Sequence, residues 1–267
     1  MTAMPPSSAS RDRLADREAD LTHALAAVRS RLAVAAQKAG RPTEDITLLP
    51  VTKFFPASDV AILARLGVRA VGESREQEAA AKIATLASMP TGSSAHLLSA
   101  PPPLKWHMIG RVQSNKVRAL VHWAHTVHSV DSLKLVAALE RATAKALAEG
   151  RREQPLRVYV QVSLDGDTSR GGVDCSADGA VERICAQIEN ASNLTLVGLM
   201  GVPPLDWAPD RAYELLDAEH RRVMESHPEA RGLSAGMSGD FEIAVKHGST
   251  CVRVGTALLG PRQLPSP

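Results

Sequence analysis

One lysine in this chain is placed for covalent chemistry. Lys53 ends the apolar run Leu49-Pro50-Val51-Thr52, ahead of Phe54-Phe55-Pro56. An unpaired ammonium is costly to bury, so a lysine there either snorkels to a rim or is held for reaction. Partial burial or nearby cations lower a lysine pKa toward neutrality, and a neutral amine attacks aldehydes. Most lysines at strand ends are only solvated, so Lys53 alone decides nothing. A second cluster lies near the other end of the chain. Gly232-Leu233-Ser234-Ala235-Gly236-Met237-Ser238-Gly239-Asp240 and Arg253-Val254-Gly255-Thr256 offer hydroxyls and backbone amides to an anion. Gly255 would admit a phosphate close to the backbone, and Ser234 and Thr256 could donate to its oxygens. The same residues also read as ordinary turn and cap positions. A reactive amine facing a phosphate site suggests a Schiff base with a phosphorylated aldehyde.

A third cluster, Trp106-His107-Met108-Ile109-Gly110-Arg111-Val112-Gln113-Ser114-Asn115-Lys116, is dense in polar groups, with Ser114 a candidate helix cap. His122, His125 and His128 match no zinc or iron spacing and read as solvated or packed side chains. The sequence contains no P-loop, no GxSxG elbow and no HExxH.

The elements that must position these residues alternate. Strands are predicted at Ile46–Thr52, Val68–Gly72, Trp106–Ile109, Thr126–Val130, Arg157–Ser163, Leu196–Met200, Gly232–Ala235 and Val252–Gly255. Helices are predicted at Ala57–Leu66, Arg75–Ala87, Gln113–Val121, Ser132–Ala148, Asp178–Glu189, Pro209–Glu225 and Asp240–His247. An additional first helix runs from about Leu14 to Lys38, with Leu21, Leu25, Val28, Leu32 and Ala35 on one face, and Gly40 and Pro42 end it. Strand–helix alternation of this kind predicts an α/β fold, a single closed (β/α)8 TIM barrel, with function at the carboxyl ends of the strands. An open doubly wound sheet shares the local pattern, but no Gly-rich dinucleotide fingerprint follows any strand. Residues 1–13 read as a loose tail and residues 14–262 as one domain. The Pro-rich stretch from Met89 to Lys105 reads as an exposed mobile loop, and Asp165–Gly172 as a flexible loop over the barrel mouth.

Composition narrows the classes. With 31 basic and 29 acidic side chains, the net charge of +2 gives no argument for nucleic acid or an anionic membrane. No apolar run approaches the roughly 18 residues of a membrane span. Aromatics are 3% of residues, so Ala, Leu and Val are expected to fill the core. Cys175, Cys185 and Cys251 are odd in number and far apart, which suits a reducing cytoplasm.

Taken together, the blocks VTKFFPASDV, VGESREQEAAAK, WHMIGRVQSNKV, VHSVDS, VQVSLDGDTSRGGV, LVGLMGVPP, LSAGMSGDFEIAVKHGS and VRVGTALLG resemble the pyridoxal phosphate homeostasis family (YggS/PROSC). They occur in family order from residue 46 to 260. The resemblance implies a barrel like the alanine racemase amino-terminal domain, binding pyridoxal 5′-phosphate as an internal aldimine. By position, Lys53 matches the aldimine lysine and Arg253 the arginine facing the pyridine nitrogen. Ser234, Gly255 and Thr256 match phosphate-binding positions. An arginine there disfavours protonation of the ring, which makes a poor electron sink and suits a carrier. Two positions depart from the family. Ser74 replaces the usual Asn near the ring hydroxyl, which shortens or removes that contact. Phe55 stands where many relatives have a second lysine. The implied function is a non-catalytic, cytoplasmic, monomeric protein that buffers the cofactor, with pyridoxal-phosphate-dependent enzymes as candidate clients.

Two enzyme readings compete. An alanine-type racemase needs a second base opposite the lysine. The only tyrosines are Tyr159 and Tyr213, and the ending at Pro267 is expected to leave no room for a second domain. A Schiff-base aldolase needs an acid–base partner beside the lysine, and none is evident in the first strand.

Overall fold

The computed structural model describes residues 8–89 and 103–261. The elements in chain order are α1 Ser8–Lys38, β1 Thr47–Pro50, α2 Ala57–Arg65, β2 Ala70–Glu73, α3 Glu76–Ala87, β3 Lys105–Met108, α4 Val117–Leu120, β4 Ala124–Val130 and α5 Leu133–Ala148. They continue with β5 Leu156–Ser163, β6 Val173–Asp174, α6 Ala180–Glu189, β7 Leu194–Gly201, α7 Pro209–Ser226, β8 Gly232–Ser234, α8 Phe241–Lys246, β9 Cys251–Val254 and α9 Thr256–Leu259. All strand pairs are parallel, in the order β1-β9-β8-β7-β5-β4-β3-β2. The seam between β1 and β2 closes through the Val51–Gly72 bridge and a Thr52 N–H bond to the Gly72 carbonyl at 2.9 Å. The predicted barrel is therefore present. Each predicted strand is found within two or three residues, while β6 and α9 were not predicted.

Alternation along the strands sorts side chains between two layers. Val158, Val160 and Val162 of β5 join the apolar layer beneath the helices, whereas Tyr159 belongs to a separate cluster with Val197 and Met200. In β9, Val252 and Val254 pack outward, while Arg253 is buried and bonded to Ser234 of β8. The expectation that Ala, Leu and Val fill the core holds for the outer layer, whereas the barrel interior mixes apolar side chains such as Leu49 and Val197 with polar ones. Within the barrel, His107, His128, Tyr159, Ser234 and Arg253 take up space as one contacting, hydrogen-bonded group. Buried polar groups are tolerated when paired.

Three local readings are corrected. Helix α1 starts at Ser8, because the sequence from Ser8 to Leu14 holds no Gly or Pro to stop it. Ser114 caps no helix; it opens a 3-10 turn at Ser114–Lys116 ahead of a short α4, so the predicted Gln113–Val121 helix is two pieces. The 165–172 loop is tied down. Asp165 accepts from Ser163 Oγ at 2.9 Å and from Arg170 at 2.7 Å, and Asp167 caps a 3-10 turn at Thr168–Arg170. The proline-rich stretch falls largely on residues 90–102, outside the described residues, as does the tail before residue 8.

The apolar stripe of α1 is buried as predicted, against α2, α8 and α9. Gly40 ends the helix at φ 64°, and Arg41 N–H reaches the Ala36 carbonyl at 3.0 Å, a left-handed cap of the Schellman type. Arg17 ties this helix to the end of the barrel through Asp59 at 2.6 Å and the Leu259 carbonyl at 3.0 Å.

Where β7 meets β8, the backbones approach too closely for any side chain. Gly198 has φ 149°, and a Cβ there would overlap the Gly232 carbonyl oxygen. Gly198→Ala is expected to destabilise the fold by roughly 3 kcal/mol, read from urea unfolding. A loss under about 0.5 kcal/mol would mean the two strands are free to separate.

Candidate functional site

Three strand ends and one loop converge on a cavity of about 330 Å³, a size typical of small-molecule pockets. Lys53 and Phe54 enter it from the end of β1, Ile109 from β3, Met237, Ser238 and Gly239 from the loop after β8, and Arg253, Gly255 and Thr256 from β9. Four of the predicted residues, Lys53, Arg253, Gly255 and Thr256, therefore share one cavity although 200 residues separate Lys53 from Arg253. Lys53 is half-buried, with its Nζ 6.0 Å from the Phe54 ring centroid.

Arg253 is held from below. Its Nη1 donates to Ser234 Oγ at 2.7 Å and its Nη2 to the Gly201 carbonyl at 2.9 Å. Burial lowers its pKa below the usual guanidinium value, but an arginine stays charged in proteins. A fixed cation with N–H donors to spare can face a ring nitrogen that must accept rather than donate.

Ser234, predicted to meet the phosphate, is fully buried at the floor of the site, outside the lining of this cavity among the described residues. Its hydroxyl lies between Arg253 Nη1 at 2.7 Å and His128 Nδ1 at 2.8 Å. Ser74 also stands apart, lining a neighbouring cavity of about 920 Å³ together with Arg75, Arg111 and Lys116. Phe55 is buried against the apolar layer beneath α1 and also borders the cavity beside Lys53 and Phe54.

The residue that the sequence reading missed is Ser238. Its Oγ accepts from the backbone N–H groups of Gly255 and Ala257, each at 3.2 Å. Two backbone donors thus converge on an oxygen at the edge of the cavity, as they would on a phosphate oxygen. In Leu233-Ser234-Ala235-Gly236-Met237-Ser238 nothing in the spacing distinguishes Ser238 from Ser234. A Cβ at Gly255 would meet the chain only at ordinary contact distance, 3.7 Å from Val51. No neighbouring atom demands glycine there, and the space it leaves open belongs to the cavity. An amine, a buried cation and converging amide donors fit a phosphorylated aromatic aldehyde.

The histidines form a core network. His107 Nδ1 and His128 Nε2 are 2.9 Å apart, His125 stacks on His107 at 5.7 Å, and His128 stacks on Tyr159 at 4.5 Å. Burial, then positive neighbours, push His107 down to about 3 and hold His128 well below the usual imidazole value. Both are neutral near pH 7. Neither Tyr159 nor Tyr213 lines the cavity, and both are buried.

Comparison with known proteins agrees with this geometry. Residues 24–263 match the family model described as alanine racemase, N-terminal domain. The chain is 67% identical over 252 residues to a pyridoxal phosphate homeostasis protein of Mycobacterium leprae, covering 94% of this chain and 96% of that protein. It is 32% identical over 246 residues to the protein of that name in Escherichia coli, covering 91% and 97%. The solved structure of PipY from Synechococcus elongatus with PLP bound superimposes with a TM-score of 0.72 at 29% identity, covering 90% of this chain and 100% of that one. An alanine racemase from Corynebacterium glutamicum, at 17% identity and a TM-score of 0.62, shares the fold.

Proposed function

We propose, from the premise that this chain belongs to the pyridoxal phosphate homeostasis protein family and carries the alanine racemase N-terminal domain, that it binds pyridoxal 5′-phosphate reversibly and buffers it. The observation that carries the reading is the single cavity joining Lys53, Arg253, Gly255 and Thr256. When bound, the cofactor supplies an aldehyde carbon that a primary amine can capture as a Schiff base. Lys53 is the capturing amine. The Gly255 and Ala257 amides, with Ser238 and Thr256, hold the phosphate end. Arg253, anchored by Ser234 and Gly201, faces the ring nitrogen and keeps a proton off it.

The residues around the amine support a carrier over a catalyst. Racemisation needs a second base opposite the lysine, and no tyrosine, histidine or carboxylate lines the cavity among the described residues. Loss of optical rotation with alanine or serine would reveal a racemase. An aldolase would also need an acid–base group in this cavity.

We place the protein in the cytoplasm as a monomer, with dependent enzymes as candidate recipients of the cofactor. The described residues include no helix long and apolar enough to cross a membrane. Cys175, Cys185 and Cys251 are free thiols, and burial pushes Cys251 up to about 11, which suits a reducing compartment.

The test is a visible spectrum of the protein with pyridoxal phosphate, then borohydride reduction and peptide mapping. A yellow band with the pyridoxyl group trapped on Lys53 is expected. No band, or label scattered over surface lysines, would overturn the reading.

A further inference from the structure

Beside Lys53 lies a second lysine that the proposed function leaves without a task. Lys82 of α3 is buried, and its ammonium donates to the Thr52 carbonyl at 2.7 Å, to Glu73 Oε1 at 2.7 Å and to Glu78 Oε1 at 2.8 Å. The same two carboxylates reach the residues on either side of Lys53. Thr52 Oγ1 donates to Glu73 Oε1 at 2.6 Å, and Phe54 N–H donates to Glu78 Oε1 at 2.6 Å. Lys53 is thus flanked by two residues tied to one charged network.

Phe54 adds an independent sign. Its φ is 69°, the left-handed region that side-chain-bearing residues disfavour, and it is the sole non-glycine residue with positive φ among those described. Such a conformation persists when its surroundings over-determine it, and such positions cluster at functional sites. Here the surrounding group is Glu78, which holds the Phe54 amide. The bend directs the chain away from β1 directly after the amine.

We infer that the Lys82–Glu78–Glu73 network is a positioning device for Lys53, so that covalent capture of the aldehyde depends on it and phosphate binding does not; this rests on the proposed function. Capture forms one C=N bond between the Lys53 nitrogen and the aldehyde carbon and releases the carbonyl oxygen as water. The nitrogen must be deprotonated and must meet the carbonyl from a fixed direction, which is where orientation is worth most. Phosphate contacts come from the β8 and β9 side of the cavity and share no bond with this network. Lys82 and its partners hold the backbone on either side of Lys53, through the Thr52 carbonyl and hydroxyl and the Phe54 amide, so they act as positioning residues.

The cleanest variant is Glu78→Ala, because Glu78 is partly exposed and its loss leaves Lys82 paired with Glu73. Lys82→Met is harsher. It leaves Glu73 fully buried without its cation, and Glu73 Oε2 already has no hydrogen-bond partner in the protein.

Two ligands separate the roles. Pyridoxine 5′-phosphate has the phosphate and ring but no aldehyde, so it reads the noncovalent part alone. In Glu78→Ala its affinity is expected within twofold of wild type, with an unchanged melting profile. Capture of pyridoxal phosphate, read from the visible band, is expected to fall about tenfold, as for loss of one hydrogen bond to a charged group. Glu78→Gln restores an oxygen acceptor for the Phe54 amide and is expected to recover most of it.

A third readout needs no cofactor. Amide hydrogen exchange at Phe54 is expected to be slow in the wild type and at least tenfold faster in Glu78→Ala. Unchanged capture in Glu78→Ala, or equal loss with both ligands, would overturn the inference. So would a Phe54 amide already unprotected in the wild type. A wild-type protein without a visible band would sink the reading of the site, and the Phe54 exchange would still decide whether the network clamps the loop.

Discussion

Lys53→Ala is expected to lose the visible band completely and to bind pyridoxal phosphate at least tenfold more weakly, while still binding it. The two halves of that result have separate causes. The nitrogen that forms the bond belongs to this side chain, and no other lysine lines the cavity among the described residues. The adjoining cavity includes Lys116 and Lys82, and the ammonium of Lys82 is already bonded to Thr52, Glu73 and Glu78. Residual affinity survives because the other contacts do not pass through Lys53. The Gly255 and Ala257 amides meet at Ser238, and Arg253 is fixed by Ser234 and Gly201. The fold is expected to tolerate the change, since the side chain is half-buried in a turn and fills no core space. Titration calorimetry for affinity and absorption for capture separate the two parts. A variant that kept a wild-type band would remove Lys53 from the assignment. A variant that bound nothing at all would mean the phosphate end holds no affinity of its own.

Much of this arrangement is legible in the sequence, for reasons particular residues make plain. Buried parallel strands need continuous apolar runs and helices need a 3.6-residue stripe, so the eight barrel strands and the face Leu21, Leu25, Val28, Leu32, Ala35 can be read directly, while the two-residue β6 cannot. What the sequence hides is direction. Ser234 ends β8 and Ser238 follows it, both small hydroxyl residues, yet one faces into the barrel toward His128 and the other faces the cavity. The barrel's closure decides that, and no local pattern encodes it. The Lys82 network is hidden for a different reason. Glu78 and Lys82 are four apart on a helix, which reads as an exposed surface pair until the turn after β1 is seen packed over them. His107 and His128 lie 21 residues apart and meet only because β3 and β4 are neighbours. The short α9 escaped for want of length, since four residues carry no periodicity.

That histidine pair makes the protein acid-labile well above the carboxylate range. Unfolded histidine titrates near pH 6.5, whereas His107 in the fold is held down at about 3 by burial, with His125, Lys105 and Arg157 as further positive neighbours. His128 shifts the same way, for burial first and then the charges of His107 and Arg253. The geometry gives the reason. One of the two facing nitrogens, His107 Nδ1 and His128 Nε2, must accept, so both rings cannot be protonated while the bond persists. Between these values the unfolded chain binds more protons than the folded one, so stability is complete above the unfolded pKa and is lost as pH falls toward the folded one. From pH 7 to pH 5, His107 alone removes about 2 kcal/mol, and His128 adds to it. Against a total of roughly 5–15 kcal/mol this is a large fraction. The aspartates whose pKa values are lowered by their hydrogen bonds, such as Asp165 and Asp174, contribute in the same direction only at lower pH. Urea unfolding at pH 7, 6 and 5 reads the effect, and His107→Gln, though less stable at pH 7, is expected to lose about 2 kcal/mol less over the same interval. Equal stability at pH 7 and 5, or an identical slope in the variant, would mean that the pair is hydrated or open in solution. The consequence reaches the cofactor site through one bonded path. His128 holds Ser234, Ser234 holds Arg253, and Arg253 lines the cavity, so the acid that charges the barrel interior also removes the support beneath that cation.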